Sequence, residues 1–212
     1  MRRVYKLLMV ICCITFIDGC TKDNFWYSGI SDGHFDGNLL EYMESSGHSY
    51  DWDSTALMVR HAGADVIQLF EGKDPAHKEI TFLGPTNNSI RRYMLNNGIK
   101  RVKDMDPEFC KKMLLRHVID GKIYRDDIQE GKPLSGGAVI GDGGDTYTAL
   151  GGNRIWIYSH AEAYEKIEGI GAVSLRILSV DESRFIDVAS TNIEPEGCVV
   201  HSLHYSYTLG DM

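Results

Sequence analysis

The hydrophobic pattern of this chain changes period part-way along, and that change constrains the fold more than any other feature. From Asn38 to about residue 121 apolar residues recur mostly at helical spacing. Leu39, Leu40, Tyr42 and Met43 cluster in NLLEYMESSG, which Gly47 ends. STALMVRHAG spaces Leu57, Met58 and His61 as a helix would, with Asp53 or Ser54 as the expected cap and Gly63 as a stop. A short apolar stretch, DVIQLFEG, follows. Asn87 to Leu95 reads as a further helix, stopped by Asn96-Asn97-Gly98. Asp106-Pro107-Glu108 is a strong helix start: Asp caps, Pro takes the first helical position, and Glu suits the positive end of the dipole. That helix is expected to carry Phe109, Met113, Leu114, His117 and Val118 inward and to stop at Asp120-Gly121. Within this half only Glu79–Leu83 reads as a strand, broken by Gly84-Pro85.

From Pro133 onward the period becomes two. GDGGDTYTALGGNRIWIYS reads as strand, turn and strand. AVSLRIL alternates, with Val173, Leu175 and Ile177 on one face; RFIDVAS and CVVHSLHYSYTL are further strands. Helices first and strands after predict an α+β domain over residues 38–212.

The N-terminus is of another kind. Arg2, Arg3 and Lys6 precede an apolar run of eleven residues, Leu7–Ile17, too short for a permanent bilayer span. Residues 1–19 therefore read as a signal peptide, against the plainer alternative of a buried helix. Ile17-Asp18-Gly19-Cys20 resembles a bacterial lipobox, which makes Cys20 the expected lipidation site; Asp18 stands where a small neutral residue is usual. Residues 20–37, the modified Cys and a Gly-, Ser-, Asp- and aromatic-rich stretch, read as a tether. Cleavage nearby without lipid, giving a secreted protein, is the alternative. The expected location is the outer membrane or cell surface, lipid-anchored.

Charge narrows the partners. The chain carries a formal −8, and removing the +2 of residues 1–19 leaves −10. With no basic block it is not expected to bind nucleic acid or to grip anionic lipid electrostatically. Of five Cys, Cys110 and Cys198 remain in the domain, open to a disulfide or, more plainly, buried as free thiols.

Three segments, in order, resemble the fasciclin domain. ITFLGPTNNSI (residues 80–90) is similar to the family's first box, with Gly84 inserted or substituted. MLLRHVIDGK (113–122) is similar to its second, and VASTNIEPEGCVVHSL (188–203) to its closing box; YTALGGNRIWI between them looks like the central strand pair. The resemblance implies a β-wedge or sandwich flanked by helices, a role in adhesion or surface assembly, and no cofactor. It also marks two departures. Arg116-His117 stands where the family has an adhesive Tyr-His pair, and Glu196-Gly197-Cys198 where Asn-Gly is usual.

No nucleophile elbow, HExxH, CxxC pair or P-loop is present, so no catalytic residue and no metal ligand is assigned. His117 and His201 sit on apolar faces and read as core histidines; His204 reads as surface. Gly141–Asp145 offers two carboxylates to Ca²⁺ but reads better as a Gly-rich hairpin turn. Glu162, Glu165 and Glu168 read as a solvated helix face. Trp26, Tyr27 and Trp52 are expected to be exposed enough to stack on a sugar or anchor a partner, and Trp156 to pack in the core. The expected function is a surface-anchored, non-enzymatic binding or adhesion module for a protein or glycan. The alternative is an accessory subunit of an outer-membrane glycan-uptake or assembly complex.

Overall fold

A computed structural model describes residues 33–212 except 168 and 170. The signal segment, Cys20, Trp26, Tyr27 and Glu168 lie outside the described residues. Residues 33–212 form one compact unit. It begins inside the expected tether: His34–Phe35 (β1) pairs in parallel with Glu194 and Pro195. The Phe35 ring meets Tyr42 edge-on at 5.4 Å.

The helical half follows the sequence closely. Leu39–Glu44 (α1) starts at Asn38, whose side chain accepts from Glu41 N while the Glu41 carboxylate takes Asn38 N–H, a reciprocal cap. Ser49–Ala62 (α2) starts earlier than expected, with no side-chain cap, so Asp53 and Ser54 lie inside it. Ala64–Phe70 (α3) and Asn87–Asn96 (α4) follow, separated by the strand Ile80–Gly84 (β2). Pro107–Arg116 (α5) begins at Asp106, whose carboxylate accepts from Phe109 N at 3.2 Å. It stops at His117 rather than at Asp120, because Val118–Asp120 (β3) is taken up as the antiparallel partner of β2.

The later strands are Gly131–Lys132 (β4), Asp142–Gly143 (β5), Asp145–Thr148 (β6), Arg154–Ala161 (β7), Val173–Ser179 (β8), Arg184–Pro195 (β9) and Cys198–Leu203 (β10). The main sheet runs β3-β2-β10-β9-β8-β7-β6, with β1 on β9, and β4 and β5 form a separate ribbon. The β2–β10 and β1–β9 pairings are parallel; the other ladders are antiparallel. Strand β9 changes partner along its length: Arg184–Asp187 pairs with β8, Val188–Ile193 with β10, and the end with β1. Register shifts in the β9–β10 ladder and Asn192 at φ 57° accommodate the bend.

Strand alternation sorts side chains into layers. Ile80 and Phe82 of β2, with Cys198 and Val200 of β10, face the helices. Leu83, Ile119, Ile155, Ile157, Ile177 and Leu203 close a second core drawn from both ends of the sheet, so the sheet folds over on itself as a wedge. Trp156, Tyr158 and Leu178 form a third, smaller cluster on the opposite face of β7 and β8. Being covered on both faces is why β2 and β10 are buried throughout.

Three local expectations change. Val173 is half exposed although Leu175 and Ile177 are buried, because β9 pairs with β8 only from Arg176 onward. Glu162 and Glu165 are not on a helix: Tyr164 and Ile167 bridge across a tight turn, with Glu165 at φ 47°. Gly141–Asp145 is not a hairpin turn either, since Asp142 and Gly143 pair with Lys132 and Gly131.

Candidate binding surface

The polar residues of the three boxes hold the fold together. Thr81 on β2 donates its hydroxyl proton to Gly121 O at 2.7 Å and accepts from Ile123 N at 2.9 Å, tying the first box to the turn after the second. Asn87 accepts from Ser54 N at 2.6 Å and donates to Ser49 O and Tyr50 O at 2.8 and 2.7 Å, so one amide joins the start of α4 to that of α2. Trp52, expected to be exposed, is 2% exposed and lies over Gly84, where a Cβ would sit 2.5 Å from the indole. Gly84 is therefore a close-approach residue.

His117 is fully buried at the end of α5. Its ring nitrogens lie 2.6 Å from Met113 O and 2.8 Å from the Tyr207 hydroxyl. Desolvation holds its pKa down at about 4, against the pull of the Met113 carbonyl, so the ring is neutral at pH 7. Arg116 turns the other way: Nε donates to Met212 O, and Nη2 pairs with Glu182 at 3.1 Å. The last carbonyls of α5 are capped by the central strand pair, Leu115 O by Gly151 N at 2.8 Å and Arg116 O by the Asn153 side chain at 3.2 Å. Neither residue of this pair is presented to a partner. His201 is likewise enclosed, Nε2 lying 2.9 Å from Ile123 O, with its pKa lowered by burial. Cys110 and Cys198 are buried free thiols; burial raises them to about 11 and about 12, which leaves both protonated and unreactive at neutral pH.

A cleft lined by polar side chains lies beside β7. The β4–β5 ribbon crosses the outer face of that strand, and its glycines let it come close. A Cβ on Gly131 would meet Tyr158 Cβ at 2.6 Å, and one on Gly144 would meet Trp156 Nε1 at 2.6 Å. Trp156 Nε1 donates to Gly143 O at 3.0 Å, and the Trp156 and Tyr158 rings stack at 4.5 Å. Between the ribbon and the β7–β8 hairpin opens a cleft of about 580 Å³, lined by Glu130, Lys132, Tyr158, His160, Glu162 and Arg176. The Ser174 hydroxyl lies 3.2 Å from His160 Nδ1. Arg176 Nε donates to Asp187 at 2.9 Å; burial opposes its charge, but Asp187 and the Tyr158 hydroxyl together outweigh that and leave its pKa raised. Tyr158 is 1% exposed, and burial raises its pKa while Arg176 beside it pulls the other way. Its hydroxyl is sealed from solvent, with the Arg176 side chain as its polar neighbour.

A second depression, about 430 Å³, is lined by Leu57, Arg60, His61, Arg101 and Lys103. Its guanidiniums are engaged, Arg60 by Glu44 and Arg101 by Asp104 at 2.8 Å. Among the described residues no three His, Cys, Asp or Glu side chains gather as a metal site requires. Asp145, one of the carboxylates considered for Ca²⁺, accepts from Gln129 N at 3.1 Å.

No curated protein matches the chain by sequence. The family model of the fasciclin domain matches residues 54–204, which spans all three boxes and the strands between them. The chain belongs to the fasciclin domain family. Fasciclin domains are generally cell-adhesion and binding modules. Among solved structures, the chain is similar to a FAS1 domain pair from the insect cell adhesion molecule fasciclin I, with a TM-score of 0.51 and 11% identity. The match covers 77% of this chain and 47% of the insect one, so this chain spans about half of the structure it resembles. At that identity the likeness establishes the fasciclin fold, a helix-flanked β-wedge.

Within that fasciclin fold, the residues singled out by sequence do not converge. His117 and His201 are core groups, Trp52 and Trp156 are buried, and His204 bonds locally to Ser206 at 2.7 Å. The cleft is built instead from Lys132, Tyr158, His160 and Arg176, which no motif marked. The available signal was alternation in RIWIYSHA, which puts Trp156, Tyr158 and His160 on the face away from the wedge core.

Proposed function

We propose that this protein is a non-enzymatic binding or adhesion module of the cell surface, tethered as a lipoprotein through Cys20 after removal of residues 1–19. The observation that carries the reading is the fasciclin match over residues 54–204. Two further features support it. The buried histidines, the natural candidates for a hydrolase base, are neutral and hydrogen-bonded within the fold. His117 is buried and Arg116 is held by Met212 O and Glu182, so neither side chain is free to serve as an adhesive pair.

Two experiments test the parts separately. Purified protein lacking the N-terminal twenty residues is screened against glycans and surface proteins. A saturable, specific ligand supports the module reading. Silence from folded protein, with a membrane partner co-purifying from intact cells, moves the role to an assembly subunit. For the anchor, Cys20→Ser is expected to shift the protein from the membrane fraction to the soluble one. A variant that still sediments with membranes through an uncleaved N-terminus overturns lipidation at Cys20.

A further inference from the structure

We propose that His201 is a pH-sensitive latch on the joint where β1 docks against β9: neutral, its ring closes the bulge that carries β9 to β1, and protonated, it opens that bulge and undocks β1. The proposal goes beyond the binding-module reading and does not rest on it. The joint is built around one irregularity. Val200 pairs with Ile193 and Ser202 with Ser190, so Thr191 and Asn192 stand together opposite His201. A bulge of two residues against one leaves a backbone group outside the ladder. Here the Asn192 N–H points to the His201 ring, 3.4 Å from Nδ1, and Asn192 holds φ 57°. The Asn192 side chain reaches the other way and accepts from Arg125 N at 2.8 Å. Strand β1 leans on the same residue. A Cβ on Gly33 would collide with Asn192 O, and Gly33 O accepts from Glu194 N at 2.6 Å. The pairs of His34 with Glu194 and Phe35 with Pro195, and Glu196 N donating to Gly37 O at 2.8 Å, complete the docking.

The surroundings of the ring fix its proton. Nε2 lies 2.9 Å from Ile123 O, and only an N–H can face a carbonyl, so the neutral ring carries its proton there and offers Nδ1 as an acceptor. A second proton has one place to go, Nδ1, where it meets the Asn192 N–H donor to donor. His201 is fully buried, so neither hydrogen reaches solvent while the joint is shut, and an unpaired buried donor is costly. The ionisable groups of the surrounding elements do not relieve this. Strand β2 carries none over Ile80–Gly84, and Cys198 on β10 is a protonated thiol. After β3, Lys122 lies 3.7 Å from Glu194, Tyr124 donates to the same carboxylate at 2.5 Å, and Arg125 pairs with Asp126 at 2.7 Å. On β1, His34 lies 3.1 Å from Asp36. Burial holds the His201 pKa down, against the pull of the Ile123 carbonyl. In the open joint the ring is hydrated and returns to the ordinary value of about 6.5. The open state therefore binds more protons, so the shut state is fully favoured above that value and loses ground as pH falls below it.

Amide hydrogen exchange of the purified full chain, read by NMR and corrected for the intrinsic rate, tests the latch. The Glu194 and Glu196 amides, which bond to Gly33 O and Gly37 O, are expected to lose about tenfold in protection between about pH 7 and about pH 5. Leu83 N, bonded to His117 O in the core, reports unfolding of the whole domain and stays better protected throughout. His201→Gln, which cannot take up the proton, is expected to abolish the fall at Glu194. His117→Gln and His34→Gln, which remove the core histidine and that of β1, leave it in place. Protection at Glu194 that is constant with pH, a fall that survives His201→Gln, or exchange at Glu194 that only follows Leu83 overturns the proposal. Should His201→Gln not fold, the ring nitrogen shifts of the unmutated chain decide. An Nδ1 that is bare at neutral pH and gains its proton as Glu194 opens supports the latch, and an Nδ1 already protonated at neutral pH overturns it.

Discussion

Trp52 sits in SYDWDST, among polar neighbours, yet its indole occupies the space that a side chain at position 84 would need. Putting a methyl there forces the ring or the β2 backbone to move. Gly84→Ala is expected to destabilise by about 1–3 kcal/mol, the usual range for overpacking, measured as a lower urea midpoint with unchanged slope. An unchanged midpoint would show that the indole relocates freely. The burial of Trp52 was legible in principle. Trp52, Thr55, Ala56, Val59 and Ala62 fall on one stripe of a helix, but only once the helix starts at Ser49. Taking Asp53 or Ser54 as the cap put Trp52 outside the helix and hid the stripe. The roles of Thr81 and Asn87 were not legible, because each bonds residues more than thirty positions away.

At the level of elements, starts were easier to read than ends. The cap at Asp106 is local chemistry, and Asp106→Ala is expected to cost about 1 kcal/mol, read from thermal or urea unfolding. No loss would mean that neighbouring packing alone fixes the first turn of α5. The end of α5 is set from outside. The apolar run continues through His117 and Val118, but β2 needs an antiparallel partner, and Gly151 and Asn153 close the helix carbonyls. The same reasoning explains the cleft. Its ribbon pairs Gly131–Lys132 with Asp142–Gly143 across the intervening loop, and no periodicity can show in so short a stretch. Its far wall was visible as alternation in β7, but what covers that face was not.

For the molecule as a whole, acid is the revealing variable. The unfolded chain protonates His117 near the ordinary value of about 6.5, while the folded chain resists until about 4. As pH falls between these values the unfolded state binds more protons, so stability is complete above about 6.5 and declines down to about 4. Each pH unit between the two values is worth about 1.4 kcal/mol, so the loss is on the order of 3 kcal/mol. His201, also lowered by burial, adds to the loss in the same direction. Urea midpoints measured from about pH 7.5 to about pH 4.5 check this, and His117→Gln is expected to flatten the slope. A wild-type midpoint constant over that range would sink the account. The partner-changing strand β9 has a different consequence. A pull on the chain ahead of β1 would enter the sheet along β9, whose pairs run from β1 through β10 to β8. The β1 contact is only two residue pairs long, so under a pull it peels first, letting out slack while the wedge behind it stays shut.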